Sequence, residues 1–327
     1  MLTERQNKLL KLIVSDYIKL AKPISSNQIC KILKCSSATV RSEMSQLEDL
    51  GLLEKTHTSS GRIPSEKGYR YYVDNLMKLK EMNAEDYQKL EIIFSNNQLQ
   101  LSDCLSESLR VISEMTNYTS IVLGGTSHNN LLKEISVVPI DRTNMIVVVI
   151  TDRGHVEHKK ITLGSVSLEE VKKTISLIND LIVGTPIDEV SGKLEFEIKP
   201  IISRYVKEHE LIYNTFYNVF RDFSNKNLNI MGKSNMLNQP EFNNVEKIRS
   251  IVSKLDNKGI LSDIEEKNND IKIYIGKENN IDEDVTIIKT KYSTATEDGT
   301  IAIVGPKRMD YDRVVALLEY IKENIES

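Results

Sequence analysis

The chain has 327 residues, 40% hydrophobic and 28% charged, an ordinary globular composition long enough for two or three cored domains. Three cysteines are too few for a disulfide framework and point to a reducing cytosol; no apolar run reaches a membrane span of about 18 residues, and the N-terminus lacks an apolar signal core. The net charge of −4 is uneven: residues 1–78 hold 13 Lys+Arg against 8 Asp+Glu, or +5, and the remainder carries −9, a basic head suited to a polyanion on an acidic body.

Leu9, Leu10, Ile13, Val14, Tyr17 and Ile18 form one broad apolar face and predict a first amphipathic helix, closed by Pro23. Ser25-x-x-Gln28 is a capping-box pattern for a second helix, with Ile29, Ile32 and Leu33 as its expected buried side. Lys34-Cys35 leave room only for a sharp reversal between helices. Ser36 or Ser37 then caps a third helix, on which Val40, Met44 and Leu47 recur at i, i+4, i+7 and face inward.

The opposite face of that third helix carries Ala38, Ser42, Ser45 and Asp49, flanked by Thr39 and Arg41. Its N-terminal half is small where an outward helix face ordinarily bears long charged side chains, so another surface can approach closely. Ala and Thr methyls fit a thymine methyl, Ser bonds either kind of base edge, and Arg pairs with guanine or phosphate. The start of a recognition helix is also where helix-turn-helix proteins meet bases.

Leu52–Lys55 predict a short strand and Ile63 the start of its return, with Thr58-Ser59-Ser60-Gly61-Arg62 as a hairpin tip whose glycine allows positive φ. Three helices followed by strand, basic tip and strand is the order of a winged helix. The candidate contacts to double-stranded DNA are therefore Ser36, Ser37, Ala38, Thr39, Arg41, Ser42 and Ser45 from the helix. Ser60, Gly61 and Arg62 join them from the tip, with Arg62 reaching a minor groove or a phosphate. The alternative is a solvated hairpin on a protein-binding winged helix.

Beyond the head, residues 79–117 are polar and helical in pattern and form a connector by composition. Four β-rich runs follow, "TSIVLGG", "LLKEISVVPID", "NMIVVVITD" and "HVEHKKITLG", and "VVVI" predicts a central strand covered on both faces. From Ser167 to about Phe223 the pattern is helical, including Val171, Ile175, Ile178, Leu181 and Ile182. Strands return at "DIKIYIGKEN", "VTIIKTKYS" and "GTIAIVG", and Val314, Leu317, Leu318 and Ile321 predict a closing helix. Strands, a helical block, then strands again indicate one α+β domain over 118–327, interrupted at about 165–230.

"SSATVRSEMSQLEDLGLL" followed by "SSGRIPSEKGYRYYVD" resembles the HrcA family of bacterial heat-inducible transcription repressors, as do "IYIGKEN" and "AIVGPKRMDY" near the C-terminus, where the family usually has threonine in place of Lys307. The resemblance implies a winged helix-turn-helix domain followed by a GAF-like domain whose inserted segment dimerises. It further implies a homodimer on an inverted-repeat operator, CIRCE, ahead of chaperonin and DnaK operons. The chaperonin GroEL is the implied partner that maintains the active repressor, in a cytoplasmic protein that joins the nucleoid when bound to DNA. No cofactor and no metal are expected. A winged-helix regulator controlled by a small molecule in the GAF-like domain is the second reading, and an enzyme or protein-binding module using the winged helix as scaffold the third.

Other motifs carry less. Gly232-Lys233-Ser234 lacks the glycine of a phosphate loop, since Asn227 stands five residues before the Gly-Lys pair. His155-x-x-His158 on a strand places its two rings on opposite faces, and Cys30 and Cys35 have no second pair downstream. No Ser/His/Asp arrangement has local support for catalysis. Gly305-Pro306-Lys307-Arg308 could hold an anion beside a helix start, but a rigid turn capped by Asp310 is the favoured reading.

Overall fold

The computed structural model describes residues 2–55, 61–78, 82–96, 101–124, 131–141, 143–152, 154, 156–162, 167–201, 214, 217–218, 228–242, 244–256, 266, 269–294 and 298–327. In chain order the helices and strands named below are α1 (Glu4–Leu20), α2 (Ser26–Leu33), α3 (Ser37–Asp49), β1 (Leu53–Lys55), β2 (Arg62–Pro64), α4 (Glu66–Tyr71), α5 (Ala84–Phe94) and α6 (Leu101–Thr116). They continue with β3 (Thr119–Leu123), β4 (Leu132–Pro139), β5 (Asn144–Thr151), β6 (Val156–Thr162), α7 (Leu168–Ile182), α8 (Ile187–Lys193) and β7 (Leu228–Met231). The last are α9 (Val245–Asp256), β8 (Lys272–Ile275), β9 (Val285–Ser293), β10 (Asp298–Pro306) and α10 (Tyr311–Glu326). They fall into two compact units: Met1–Leu123 with Ile230–Tyr292 and Thr300–Ser327, and Gly124–Asn229 with Ser293–Gly299.

The first unit opens with the three predicted helices. Thr3 and Gln6 form a capping box on α1, Ser25 and Gln28 the one expected on α2, and Ser36 accepts from the Thr39 amide at the start of α3. Ala21 and Lys34 end α1 and α2 in the left-handed region, at φ 50° and 53°, and so turn the chain within a residue or two. Leu9, Leu10, Ile13, Val14, Ile24, Ile29, Val40 and Leu47 close the core completely. Ile32 does not join them: it is 54% exposed, because eight residues give α2 barely two turns and its contact face is spent on Ser26 and Ile29.

Further along the chain comes a five-stranded sheet in the order β7-β3-β10-β9-β8. β3 is buried along its whole length and β9 nearly so, which explains their near-continuous apolar and threonine runs. α10 buries Val314, Leu317, Leu318 and Ile321 as its periodicity predicts. The stretch expected as a connector is instead part of the core: Leu90, Ile93, Leu105, Leu109 and Ile112 are buried in one apolar cluster with Leu317, Leu318 and Ile321. Arg313 on α10 also bonds the Asp86 carboxylate on α5 through Nε and a terminal nitrogen, both at 2.8 Å.

The second unit is an antiparallel sheet, β4-β5-β6, covered by α7. The Asn179 side chain on α7 accepts from the Ile135 amide at 2.9 Å and donates to its carbonyl at 2.8 Å, fixing helix to sheet. The interruption therefore begins near Gly124 rather than about 165, since β4–β6 share a core with α7 and α8 (Val147, Val149, Ile178, Val190) and stand in a separate sheet from β3. Within "VVVI" only alternate residues are buried, so β5 is central as expected but fully covered on one face alone. Leu181 points outward at 43% exposure, away from Val171, Ile175, Ile178 and Ile182.

Candidate nucleic-acid interface

Helix α3 presents two chemically different faces. Inward lie Val40, Met44, Leu47 and also Glu43, a residue only 5% exposed whose carboxylate takes a charge-assisted bond from Arg5 on α1. Outward lie Ala38, Arg41, Ser42 and Ser45, all exposed, in the i, i+3, i+4, i+7 stripe that one side of a helix provides. Ser36 is exposed at the N-cap with its hydroxyl shared with the Thr39 side chain at 2.9 Å.

Two of the predicted contacts are held from behind. Ser37 is half-buried and its hydroxyl meets the Ser26 hydroxyl and Asn27 Oδ1, each at 2.9 Å, which knits the α2–α3 corner together. Arg41 donates from Nε to the Ser26 hydroxyl at 3.2 Å, leaving its guanidinium end beside the exposed stripe. Ser26 was not legible as a site residue, because in sequence it reads simply as the first residue of α2. Lys22, Lys31, Lys34 and Lys55 are exposed in the same head, and only the overall +5 of residues 1–78 hinted at them.

The wing differs more from expectation. β1 and β2 pair antiparallel, with Leu53 opposite Pro64 and Lys55 opposite Arg62. Arg62 is thus in the returning strand and not at the tip, and Ser60 with the rest of the tip lies outside the described residues. Its amide and carbonyl both pair with Ile24, at 2.9 Å each, and its guanidinium bonds Glu48 on α3 at 2.7 and 2.8 Å. Gly61 does not take positive φ; a Cβ there would lie 2.8 Å from the Pro23 side chain, so close packing is what requires glycine.

The residues after Arg62 prove to be a framework. Pro64 is buried; the Ser65 hydroxyl donates to the Gly51 carbonyl at 2.6 Å and accepts from the Gly68 amide at 3.0 Å, capping α4. Gly68 lies so close to Leu52 that a Cβ would fall 2.1 Å from its carbonyl oxygen. Tyr69 and Tyr72 are buried beyond it. The segment "GRIPSEKGYRYYVD" therefore holds wing, α3 and α4 in fixed relation.

Residues 1–76 match the family model described as winged helix-turn-helix transcription repressor, HrcA DNA-binding, and residues 102–315 match that of the HrcA protein C-terminal domain. The chain belongs to the HrcA family of transcription repressors. It is 38% identical over its full length, and 98% of the other chain, to a protein of Bacillus pumilus (strain SAFR-032) named heat-inducible transcription repressor HrcA. A crystal structure of a hypothetical protein matches it with a TM-score of 0.70 and 23% identity over 99% of this chain and 98% of that one, which shows a shared fold. As an HrcA protein it is a DNA-binding repressor and not an enzyme.

The basic pair before α10 is held by acidic and polar partners. Lys307 pairs with Asp284 at 3.0 Å, and Arg308 bonds Glu241, the Gln239 side chain at 2.9 Å and the Ile18 carbonyl at 3.3 Å. Burial pushes the Asp284 carboxyl up, but its bonds from Lys247 and Lys307 outweigh this and hold it below the ordinary aspartate value. The Gly305–Arg308 stretch is accordingly a braced turn rather than an open anion cradle. Gly232 sits at φ 69° where a Cβ would meet the Ser113 hydroxyl at 1.9 Å, a packing reason for that glycine. His158 lies on β6, while His155 is outside the described residues.

Proposed function

We propose that this protein represses chaperone operons by binding, as a homodimer, an inverted-repeat operator of the CIRCE type, with α3 in successive major grooves. The observation that carries the reading is the small, exposed stripe Ala38, Arg41, Ser42 and Ser45, backed by Ser26 and Ser37 at the corner where α2 meets α3. In this reading Ala38 and Thr39 meet thymine methyls, Ser42 and Ser45 bond base edges, and Arg41 selects a guanine. Ser36 and the α3 N-terminus, with Lys22, Lys34 and Lys55, set the register against phosphates. Ser60 is kept as a phosphate contact in this reading, whereas Gly61 and Arg62 serve by holding the wing against Pro23 and Glu48.

A two-fold operator requires a two-fold protein. Val138, Ile140, Val156, Leu181, Val183 and Phe196 are all exposed in the second unit, Phe196 by 78%, and support that unit as the dimer contact. The name of the 38% identical relative supports derepression by heat. Chaperonin GroEL, titrated away by unfolded proteins, is the proposed sensor.

Arg41→Ala should lower discrimination at one symmetric base position by about 10- to 100-fold, the worth of a bidentate arginine contact. Competition titration of the operator against singly substituted duplexes checks this. A uniform weakening on every duplex would reassign Arg41 to phosphate.

A further inference from the structure

Helix α4 is clamped on two sides. Towards α3, the Ser65 hydroxyl and the Lys67 ammonium donate to the Gly51 and Leu50 carbonyls at 2.6 and 2.9 Å, and Gly68 rests on the Leu52 carbonyl. These three acceptors directly follow the last turn of α3. On its other side α4 meets the end of β8 and the turn that follows it, residues 273–278, about two hundred residues away in sequence.

That second contact is dense. Arg70 donates to both Glu278 carboxylate oxygens, at 3.0 and 2.6 Å, to the Ile273 carbonyl, and to Asp74 at 3.1 Å. Glu278 is itself held in place by the Ile275 amide at 2.9 Å. Glu66 accepts from the Lys277 amide at 3.3 Å and lies against Gly276, where a Cβ would fall 2.1 Å from its carboxylate oxygen. Gly276 also sits at φ 56°. The Tyr69 and Tyr72 rings pack tilted against Tyr311 on α10, with centroids 6.0 and 6.4 Å away.

We propose that the 273–278 segment is the seat that fixes the orientation of the DNA-binding head, so that Glu278 and Gly276 are positioning residues for operator binding although neither touches DNA. With the second unit as the dimer contact, as proposed above, the two heads are joined through their bodies. Half-site spacing is then matched only if each recognition helix is held at one angle to its own body. The path runs from Glu278 through Arg70 to α4, and from α4 through Leu50–Leu52 to α3. A loose seat leaves each head able to bind but spreads the pair over many spacings, and the loss falls on the bivalent site alone.

This rests on the operator reading above, and the test separates the two. Full-length protein is titrated against a two-half-site duplex, a single half-site and a scrambled duplex at several salt concentrations. Glu278→Ala should bind the two-half-site duplex about tenfold more weakly, and Glu278→Gln, which keeps an acceptor for Ile275, about threefold. Arg70→Ala combined with Glu278→Ala should bind that duplex little more weakly than Glu278→Ala alone, since the two side chains act as one link. All three should bind the single half-site within about twofold of wild type and with an unchanged salt slope, since no phosphate contact is removed. Equal losses on both duplexes, a changed slope, or full affinity in Glu278→Ala would overturn the seat. Wild-type protein that does not prefer the two-half-site duplex to the scrambled one would overturn the operator reading beneath it.

Discussion

Gly68→Ala is expected to destabilise the head by about 3 kcal/mol and to abolish DNA binding with it. The added methyl would stand 2.1 Å from the Leu52 carbonyl oxygen and 3.1 Å from its carbon. The obstacle is backbone, so no side chain can swing aside. The neighbouring Ser65 hydroxyl, bonded to both Gly51 and Gly68, keeps α4 from backing away without losing its cap. Overpacking ordinarily costs about 1–3 kcal/mol, and a clash with fixed main chain belongs at the top of that range. Urea denaturation followed by circular dichroism measures the loss. Gly192→Ala is the control, since a Cβ there meets nothing within 4 Å on α8 and alanine suits a helix better. Gly68→Ala as stable as the control would contradict the framework role given to "SEKG".

Arg313→Ala should cost about 3 kcal/mol for a different reason. Asp86 is only 2% exposed, and its carboxylate is held by two guanidinium bonds at 2.8 Å and by one from the Asn83 side-chain Nδ2 at 2.7 Å. Truncating the arginine strands a buried charge, which typically costs about 3–5 kcal/mol. The Arg313 side chain is 34% exposed, so water can reach the vacated space and the lower end applies. Asp86→Asn with Arg313→Ala should be less damaging than the sum of the two single changes by at least about 1 kcal/mol. Additive losses in a urea double-mutant cycle would show that the pair is not coupled.

What was legible in the sequence is what local chemistry controls. The capping box at Ser25 and Gln28, the cap at Ser36 and the apolar spacing of α1, α3 and α10 each act within one or two turns, and each stands as expected. The roles of Arg62, Gly61 and Glu43 were not legible, because their partners Glu48, Pro23 and Arg5 are brought up by tertiary packing. Arg62 looked like a tip residue because a basic side chain beside Gly61 suggests a turn, whereas the glycine answers to Pro23. Ile32 misled because periodicity marks a possible face without showing that a neighbour covers it. The polar look of residues 79–117 likewise hid Leu90, Leu105, Leu109 and Ile112, since a one-sided amphipathic helix and a solvated connector differ little in composition. The start of the inserted unit was missed because β4–β6 and β3 have the same strand signature; which sheet each joins is decided by long-range contacts such as Asn179 with Ile135.

The most direct test of the central claim is one titration of the purified full-length protein, at a single near-physiological salt concentration, against a CIRCE duplex and a scrambled duplex of equal length. Repressor binding through α3 predicts a preference for CIRCE of about 10³-fold or more, the usual margin of specific over non-specific binding. Equal affinity for the two duplexes, or binding to neither, both alone and with GroEL present, would contradict it.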